Sequence, residues 1–315
     1  MRSRPYIVIA GPTASGKTAL AVEVAKRIGG EVVSADSMQI YADVSVGTAR
    51  PNTEEMQGVA HHLLGFVPLG EKYSVARFCA DADAAFSAIF ARGATPVLCG
   101  GTGLYIQSFM ENLSFLEQPS DEKTRRRLQD ESREYGGAAM LERLRAVDPE
   151  TASRLHENDL HRIVRALEVY AVSGVPISEQ VRLSHQQPSP YSGCAFLLNF
   201  RDRATLYERI DRRVEQMLQN GLTEEARRVY DTARDATVWQ AIGYKELLPY
   251  LRGEWSRDQA VTALKAGTRH YAKRQLSWFH RMPQMQELLV EDYADTAALG
   301  AAVVATFQKF CREDD

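Results

Sequence analysis

Residues 11–18 read Gly-Pro-Thr-Ala-Ser-Gly-Lys-Thr. They fit G-x-x-x-x-G-K-[ST], a loop whose backbone N–H groups cradle phosphates. Both flanks agree. Tyr6-Ile7-Val8-Ile9-Ala10 is a short apolar run with β-branched residues, the mark of a buried parallel strand. Ala19 to Ile28 reads as a helix with Leu20, Val24 and Ile28 along one face. Gly11 and Gly16 let the backbone turn tightly and approach an anion, with Pro12, Thr13, Ala14 and Ser15 spanning the loop between them. The helix start adds its dipole and free N–H groups. Lys17 brings a point charge and Thr18 a hydroxyl suited to Mg²⁺. The loop predicts a di- or triphosphate ligand without naming the molecule that carries it.

The chain has 315 residues, enough for one large domain or two smaller ones. With 44% hydrophobic and 25% charged residues it falls in the ordinary globular class. A formal net charge of −3 gives no global pull toward nucleic acid, so any such binding must come from a local patch. The segment Met1-Arg2-Ser3-Arg4-Pro5 leads into an apolar run too short for a signal peptide or membrane span, and no membrane association is expected. Cys79, Cys99, Cys194 and Cys311 form no C-x-x-C pair. That spacing argues against a zinc or disulfide framework and for a reducing cytoplasm.

Glu31-Val32-Val33-Ser34-Ala35 predicts the next strand, and it delivers Asp36-Ser37-Met38-Gln39-Ile40-Tyr41. In open α/β sheets, ligand sites lie beyond the carboxyl ends of strands. Asp36 is therefore a candidate Mg²⁺-shell residue or general base; an Asp at such a place also serves as a helix cap or turn residue. Gly47-Thr48-Ala49-Arg50-Pro51-Asn52 reads as a loop, and His61-His62 as site-lining at most. Ser74 reads as the N-cap of a helix to Phe90. Thr95-Pro96-Val97-Leu98-Cys99 predicts a third strand running into Gly100-Gly101-Thr102-Gly103-Leu104-Tyr105, where small residues admit a ligand and Thr102 offers a hydroxyl.

The texture changes after about Leu113. Pro119-Ser120-Asp121 opens a charged helical stretch with Lys123, Arg125, Arg126 and Arg127. Asp159 is a candidate N-cap for a helix with Leu160, Ile163, Val164 and Leu167 on its core face and Arg162 and Arg165 elsewhere. Gln186 to Ser192 reads as a loop and Ala195–Phe200 as another strand. The expected fold is α/β, with a P-loop NTPase-like parallel sheet core at 1–113 and 195–315 and an inserted α-helical domain at 114–194. Arg201 to Leu218 is a further charged helix carrying Arg209, Arg212 and Arg213. Residues 259–286 contain no acidic side chain. They hold Lys265, Arg269, Lys273, Arg274 and Arg281 among Tyr271, Trp278 and Phe279. Basic residues interleaved with aromatics suit phosphate contacts with stacking; an ordinary amphipathic helix is the plainer reading.

Six motifs, in order along nearly the whole chain, resemble the bacterial tRNA dimethylallyltransferase family: the loop at 11–18, Asp-Ser-Met-Gln-Ile-Tyr at 36–41, Gly-Gly-Thr-Gly-Leu-Tyr at 100–105, Arg-Ala-Leu-Glu-Val-Tyr at 165–170, Gln-Ala-Ile-Gly-Tyr-Lys-Glu at 240–246 and Tyr-Ala-Lys-Arg-Gln at 271–275. The resemblance implies transfer of a dimethylallyl group from dimethylallyl diphosphate to N6 of the adenosine 3′ of the anticodon in tRNA, with Mg²⁺ as cofactor. It implies that the inserted helical domain grips the anticodon stem, and that the protein acts as a monomer in the cytoplasm. It assigns Gly11–Thr18 and Arg209 to the diphosphate, Thr18 to the metal, and Asp36 and Thr102 to catalysis. Asp36, Ser37, Met38, Gln39, Thr102, Thr124, Leu160, His161, Arg162, Ile163, Val164, Gln240, Gly243, Lys245, Lys273 and Arg274 are the expected tRNA contacts. Two departures stand out. Only Cys311 lies in the tail, so the zinc finger of eukaryotic relatives is expected to be absent, and Ser277 stands where many relatives have Thr.

The residues suit that chemistry. Negative charge builds on the diphosphate as it leaves, where fixed N–H groups, Lys17 and Mg²⁺ stabilise it. A carboxylate beside the adenine amine takes its proton, which makes Asp36 the candidate base. A small-molecule or nucleotide kinase accounts for the phosphate loop but not for the helical insert or the acid-free segment. A catalytically inert RNA-binding module leaves Asp36 and the intact Lys17-Thr18 without a role. Prenyl transfer to free AMP leaves the helical insert with little to hold.

Overall fold

The computed structural model describes residues 3–113, 121–184, 189–233 and 237–313. The readings made for Pro119-Ser120 and for Gln186 to Pro188 lie outside them. The chain begins with β1 (Arg4–Ala10), α1 (Lys17–Ile28), β2 (Gly30–Ser34), α2 (Thr53–Met56), β3 (His61–His62), α3 (Val75–Ala91), β4 (Thr95–Gly100) and α4 (Gly103–Met110). Four helices follow: α5 (Glu122–Val147), α6 (Pro149–Ser153), α7 (Leu160–Ser173) and α8 (Ile177–Ser184). Then come β5 (Tyr191–Asn199), α9 (Arg203–Gln219), α10 (Leu222–Thr232), α11 (Tyr244–Leu251), α12 (Arg257–Phe279), β6 (Met285–Leu289) and α13 (Thr296–Glu313). β5 starts four residues before the strand expected at Ala195, because Tyr191 pairs with Arg4 and packs on Tyr6 and Phe86.

Contacts divide the chain into two compact units, one of residues 1–110 with 190–315 and one of residues 111–189. In the first, the described strands form one parallel sheet in the order β3-β2-β4-β1-β5-β6. The apolar run in β1 is continuous because both faces of the sheet are covered. Tyr6, Val8 and Ala10 meet Phe78, Ala82 and Phe86 of α3 on one face. Ile7 and Ile9 meet Leu20 and Val24 of α1 and Leu299 and Val303 of α13 on the other. A further core joins Ile40, Tyr41 and Val44 to Leu222, Val229, Tyr244, Leu247 and Leu264.

The second unit is helical. Its core holds Leu128, Met140, Leu144, Ile163, Val164 and Leu167. Gly136 at φ 80° breaks α5, a conformation a β-carbon would strain. Glu168 is 1% exposed and receives hydrogen bonds from Arg125 Nε at 3.1 Å and Arg165 Nη1 at 2.9 Å.

The strand order decides where the site forms. β4 lies between β2 and β1, so three strand ends that are distant in sequence become neighbours. Ala10 is level with Gly100, and Ser34 with Cys99. The phosphate loop, Asp36 and Thr102 each follow one of these ends within a few residues.

Candidate active site

The turn from β1 into α1 forms as its glycines predict. Gly16 takes φ 93° at the N-cap of α1, and no side chain caps that end. The first-turn amides are left for a ligand. Gly11 has no room for a side chain, since a β-carbon there would lie 2.8 Å from Ser15 Oγ. Ser15 is buried and its hydroxyl has no hydrogen-bond partner among the described residues. Lys17 Nζ donates to the Pro12 carbonyl at 3.3 Å, which curls its side chain over the loop. Loss of solvent lowers the Lys17 pKa from its ordinary value, and the charge of Arg213 lowers it further. An ammonium so disfavoured gains most from an incoming anion. Arg209 reaches the loop from α9, donating from Nε to the Ala14 carbonyl at 2.9 Å.

Asp36 and Thr102 are ordered by short local bonds. Asp36 Oδ1 accepts the amides of Met38 at 2.9 Å and Gln39 at 3.3 Å. It is thus the turn residue its position allowed, and its carboxylate has a fixed orientation. Thr102 Oγ1 accepts the Ser37 amide at 2.9 Å and donates to Ser37 Oγ at 3.3 Å. Gln275, from α12, donates to the Gly101 carbonyl at 2.9 Å. A β-carbon on Gly101 would lie 2.2 Å from Gln275 Nε2, so the glycine is required for that approach.

Lys17, Asp36, Ser37 and Gln275 among these parts line one cavity of about 210 Å³. Thr13, Lys17, Asp36, Ser37 and Gln39 meet polar groups of Arg213, Thr268, Tyr271 and Gln275 there, together with the apolar side chains of Met38, Ile210, Val214, Met217, Ile242 and Leu264. A second cavity of about 620 Å³ runs along the phosphate loop and shares Lys17, Ala49, Arg213 and Met217 with the first. A third, of about 20 Å³, lies between Lys17, Thr18, Asp36, His61 and Cys99. Burial pushes the Cys99 thiol up to about 12, so it stays protonated at neutral pH.

Asp36 is the one carboxylate among the residues lining the first and third cavities. Among the described residues no cluster of three or more His, Cys, Asp or Glu side chains could cage a metal. One carboxylate and the Thr18 hydroxyl beside a phosphate loop fit Mg²⁺, which keeps waters and takes its other ligands from substrate phosphates.

Two family models match this chain: IPP transferase over residues 39–282 and isopentenyl transferase over residues 5–71. The chain belongs to the IPP transferase family. It is 47% identical over 279 residues to a tRNA dimethylallyltransferase of Geobacillus thermodenitrificans, covering 88% of each chain. It is 42% identical over 301 residues to one of Thermoanaerobacter sp., covering 95% of this chain and 96% of the other. The crystal structure of full-length tRNA isopentenylpyrophosphate transferase from Bacillus halodurans superposes with a TM-score of 0.73 at 36% identity over 99% of both chains. A eukaryotic dimethylallyltransferase acting on tRNA gives 0.81 at 29% identity, over 98% of this chain and 80% of that one. The relatives named here are prenyl-group transferases, and the kinase reading is not favoured.

In this IPP transferase the residues singled out from sequence divide into groups. Gly11–Thr18, Asp36, Ser37, Met38, Gln39, Thr102, Gln240, Lys245, Arg209 and Arg274 lie at or beside the first cavity. Gly243 is buried at φ 108° before α11, and its amide goes to Glu246 Oε2 at 2.9 Å. Lys273 is exposed on α12 and does not line the cavity. Thr13 lines the first cavity, but its amide is already taken by Gln275 Oε1.

Three expectations are corrected. Ile163 and Val164 are buried in the helical unit's core, at 0% and 6% exposure, so their side chains cannot meet tRNA; Thr124, Leu160, His161 and Arg162 of that unit keep accessible surface. Asp159 stands before α7, but its side chain accepts the His156 amide and does not cap the helix. Lys265 and Arg269 do not stand unpaired as their acid-free segment suggested: they pair with Glu215 and Asp211 of α9. Sequence reasoning passed over Ile210, Val214, Met217, Leu264 and Thr268 as wall residues. Their spacing is that of a helix's inward face, and periodicity is silent on whether that face meets other side chains or a cavity.

Proposed function

We propose that this IPP transferase moves a dimethylallyl group from dimethylallyl diphosphate to N6 of the adenosine 3′ of the anticodon in tRNA, releasing diphosphate. The observation that supports this is the composition of the first cavity. It joins a phosphate loop and Lys17 to an apolar wall of isoprenoid character and to a lone, oriented carboxylate.

The steps follow from those groups. The C–O bond of the donor breaks and its electron pair leaves with the diphosphate. The uncapped amides of α1, Lys17, Arg209 and Arg213 stand where that charge develops, and fixed donors of this kind are worth about 3–4 kcal/mol each. The apolar wall shields the electron-poor allyl group from water. The N6 lone pair forms the new C–N bond, and the amine proton passes to the Asp36 carboxylate. Met38 and Gln39 hold Asp36 by Oδ1, and Thr102 holds Ser37 beside it. Mg²⁺, held by Thr18, would neutralise diphosphate charge. The adenine must leave the anticodon-loop stack to enter the cavity, at a cost of a few kcal/mol.

In this reading the helical unit holds the anticodon stem through Thr124, Leu160, His161 and Arg162, the insert runs from near residue 111 to near residue 189, before β5 begins at Tyr191, and the protein works as a cytoplasmic monomer. Among the described residues no helix is long and apolar enough to cross a membrane. The test is mass analysis of nucleosides from tRNA incubated with the protein, dimethylallyl diphosphate and Mg²⁺, with ATP in a parallel arm. N6-dimethylallyladenosine is the expected product. Its absence, or ATP turnover without it, overturns the reading.

A further inference from the structure

The loop from Val44 to Arg50 belongs to neither substrate motif, yet it walls both large cavities. Gly47, Thr48 and Ala49 line the first; Ser45, Val46, Ala49 and Arg50 line the second. A loop rich in small residues does not hold such a shape unaided, and Ala49 sits at φ 47°, a left-handed conformation costly for a residue with a β-carbon.

Its anchor is Glu225 of α10, which lines none of the three cavities described. Glu225 is 4% exposed. Its Oε2 accepts the amides of Ser45 at 2.9 Å and Val46 at 3.0 Å. Its Oε1 accepts the Gly47 amide at 2.7 Å and the Tyr244 hydroxyl at 2.7 Å. All four donors are neutral. A buried carboxylate is costly unless its lone pairs are filled, and here three consecutive backbone amides fill most of them. The fit is close on the other side as well: a β-carbon on Gly47 would lie 2.5 Å from Tyr244 Oη. From the cavity side Gln39 Nε2 donates to the carbonyls of Thr48 and Ala49, both at 3.2 Å, while the Gln39 amide donates to Asp36. A continuous chain of bonds therefore runs from Glu225 through the loop to Gln39 and Asp36.

We infer that Glu225 is a positioning residue for prenyl transfer: by gathering the amides of residues 45–47 it sets the wall that shapes the donor's place beside Lys17. The inference rests on the prenyl-transfer reading. Glutamine at 225 is nearly isosteric, but it presents an N–H₂ group to amides that are themselves donors, so the loop is released without a cavity being made.

The experiment compares wild type with Glu225→Gln, Glu225→Asp and Gly47→Ala, reading kcat and KM for dimethylallyl diphosphate, the Kd of inorganic diphosphate, and the melting midpoint. Misplacement on the scale of 1 Å costs up to about a hundredfold. Glu225→Gln should raise the donor KM and the diphosphate Kd about tenfold or more, and Glu225→Asp should recover part of the loss. Gly47→Ala pushes the loop off Tyr244 with Glu225 intact and should show the same KM signature, so it carries the test if Glu225→Gln does not fold. A merely structural role lowers kcat with the active fraction and leaves KM and Kd unchanged; that result, or wild-type constants in the variants, overturns the inference. If wild type yields no prenylated adenosine, the functional reading fails by itself, and the diphosphate Kd still decides whether Glu225 shapes the anion site.

Discussion

Thr13 donates its backbone N–H to Gln275 Oε1 at 2.9 Å, so the phosphate loop is tied to α12 from the far end of the chain. The other end of the same amide donates to Gly101, one residue before Thr102. One buried side chain thus fixes the spacing between the phosphate loop and the loop that carries Thr102. Gln275→Leu keeps the volume and strands the Thr13 amide and the Gly101 carbonyl. The expected loss is about 1–3 kcal/mol for each group left unpaired. Thermal unfolding measures it, together with a rise in the donor KM; an unchanged melting point and KM would show the tie to be idle.

Asp36 orders the turn at Met38 and Gln39 and, in the proposed reading, is the base; substitution can separate the two. Asparagine keeps an oxygen for the Met38 and Gln39 amides but cannot take a proton at neutral pH. Asp36→Asn should lower turnover about 10²–10⁴-fold, the usual worth of a general base, with tRNA binding little changed. Asp36→Ala should lower turnover at least about a hundredfold and loosen residues 37–39 as well. Single-turnover rates at saturating tRNA are the measurement, and near-normal turnover by Asp36→Asn would end its candidacy as base.

Lys17 gives a pH dependence with a definite sign. Its pKa in the free protein is lowered, chiefly by desolvation. A bound diphosphate favours the charged form and raises that pKa. Diphosphate binding is therefore strongest below the free-protein pKa and weakens as pH rises through it toward the bound-state value. Stability runs the other way. The unfolded chain holds the proton more tightly, so the cost of burying this charge is relieved as pH rises. Calorimetric diphosphate titrations across neutral to alkaline pH test this against Lys17→Arg, which stays charged throughout and keeps only the ligand's own pH dependence. Parallel curves for the two proteins would contradict it.

Glu168 should hold up the helical unit. Its carboxylate is buried beneath Arg125 and Arg165, on two different helices. Removing the buried partner should cost less than the roughly 3–5 kcal/mol of a fully buried pair, because both arginines keep about a third of their surface in water. Glu168→Ala should lower the melting point and weaken tRNA binding while diphosphate affinity stays as in wild type. A stable variant would mean that the two arginines find water equally well.

The phosphate loop, Asp36 and Thr102 were legible because their spacing to apolar strands is local and the parallel-sheet rule supplies the rest. The position of β4 between β1 and β2 was not legible, since nothing in residues 95–100 names a partner strand. Arg213 could not be told from Arg209 and Arg212 next to it: in a charged helix, which arginine turns toward a cavity depends on a core that other segments build. Lys265 and Arg269 misled for the same reason. Their own segment lacks acids, but Asp211 and Glu215 arrive from α9, one turn apart on the facing helix. Ile163 and Val164 carried both a core reading and a contact reading, and burial separates the two.

β1 pairs with β4 at Ile7–Val97 and with β5 at Ile7–Cys194. The strand that launches the phosphate loop is thus made first and flanked late. During synthesis its first neighbour emerges only with β4, and its second only after all the described helices of the other unit. Until then it is an apolar strand with open edges, the kind of species on which chaperones act. The loop that looks most self-contained in the sequence is the part of the fold that waits longest for its surroundings, and contacts of such long sequence separation make for slow folding.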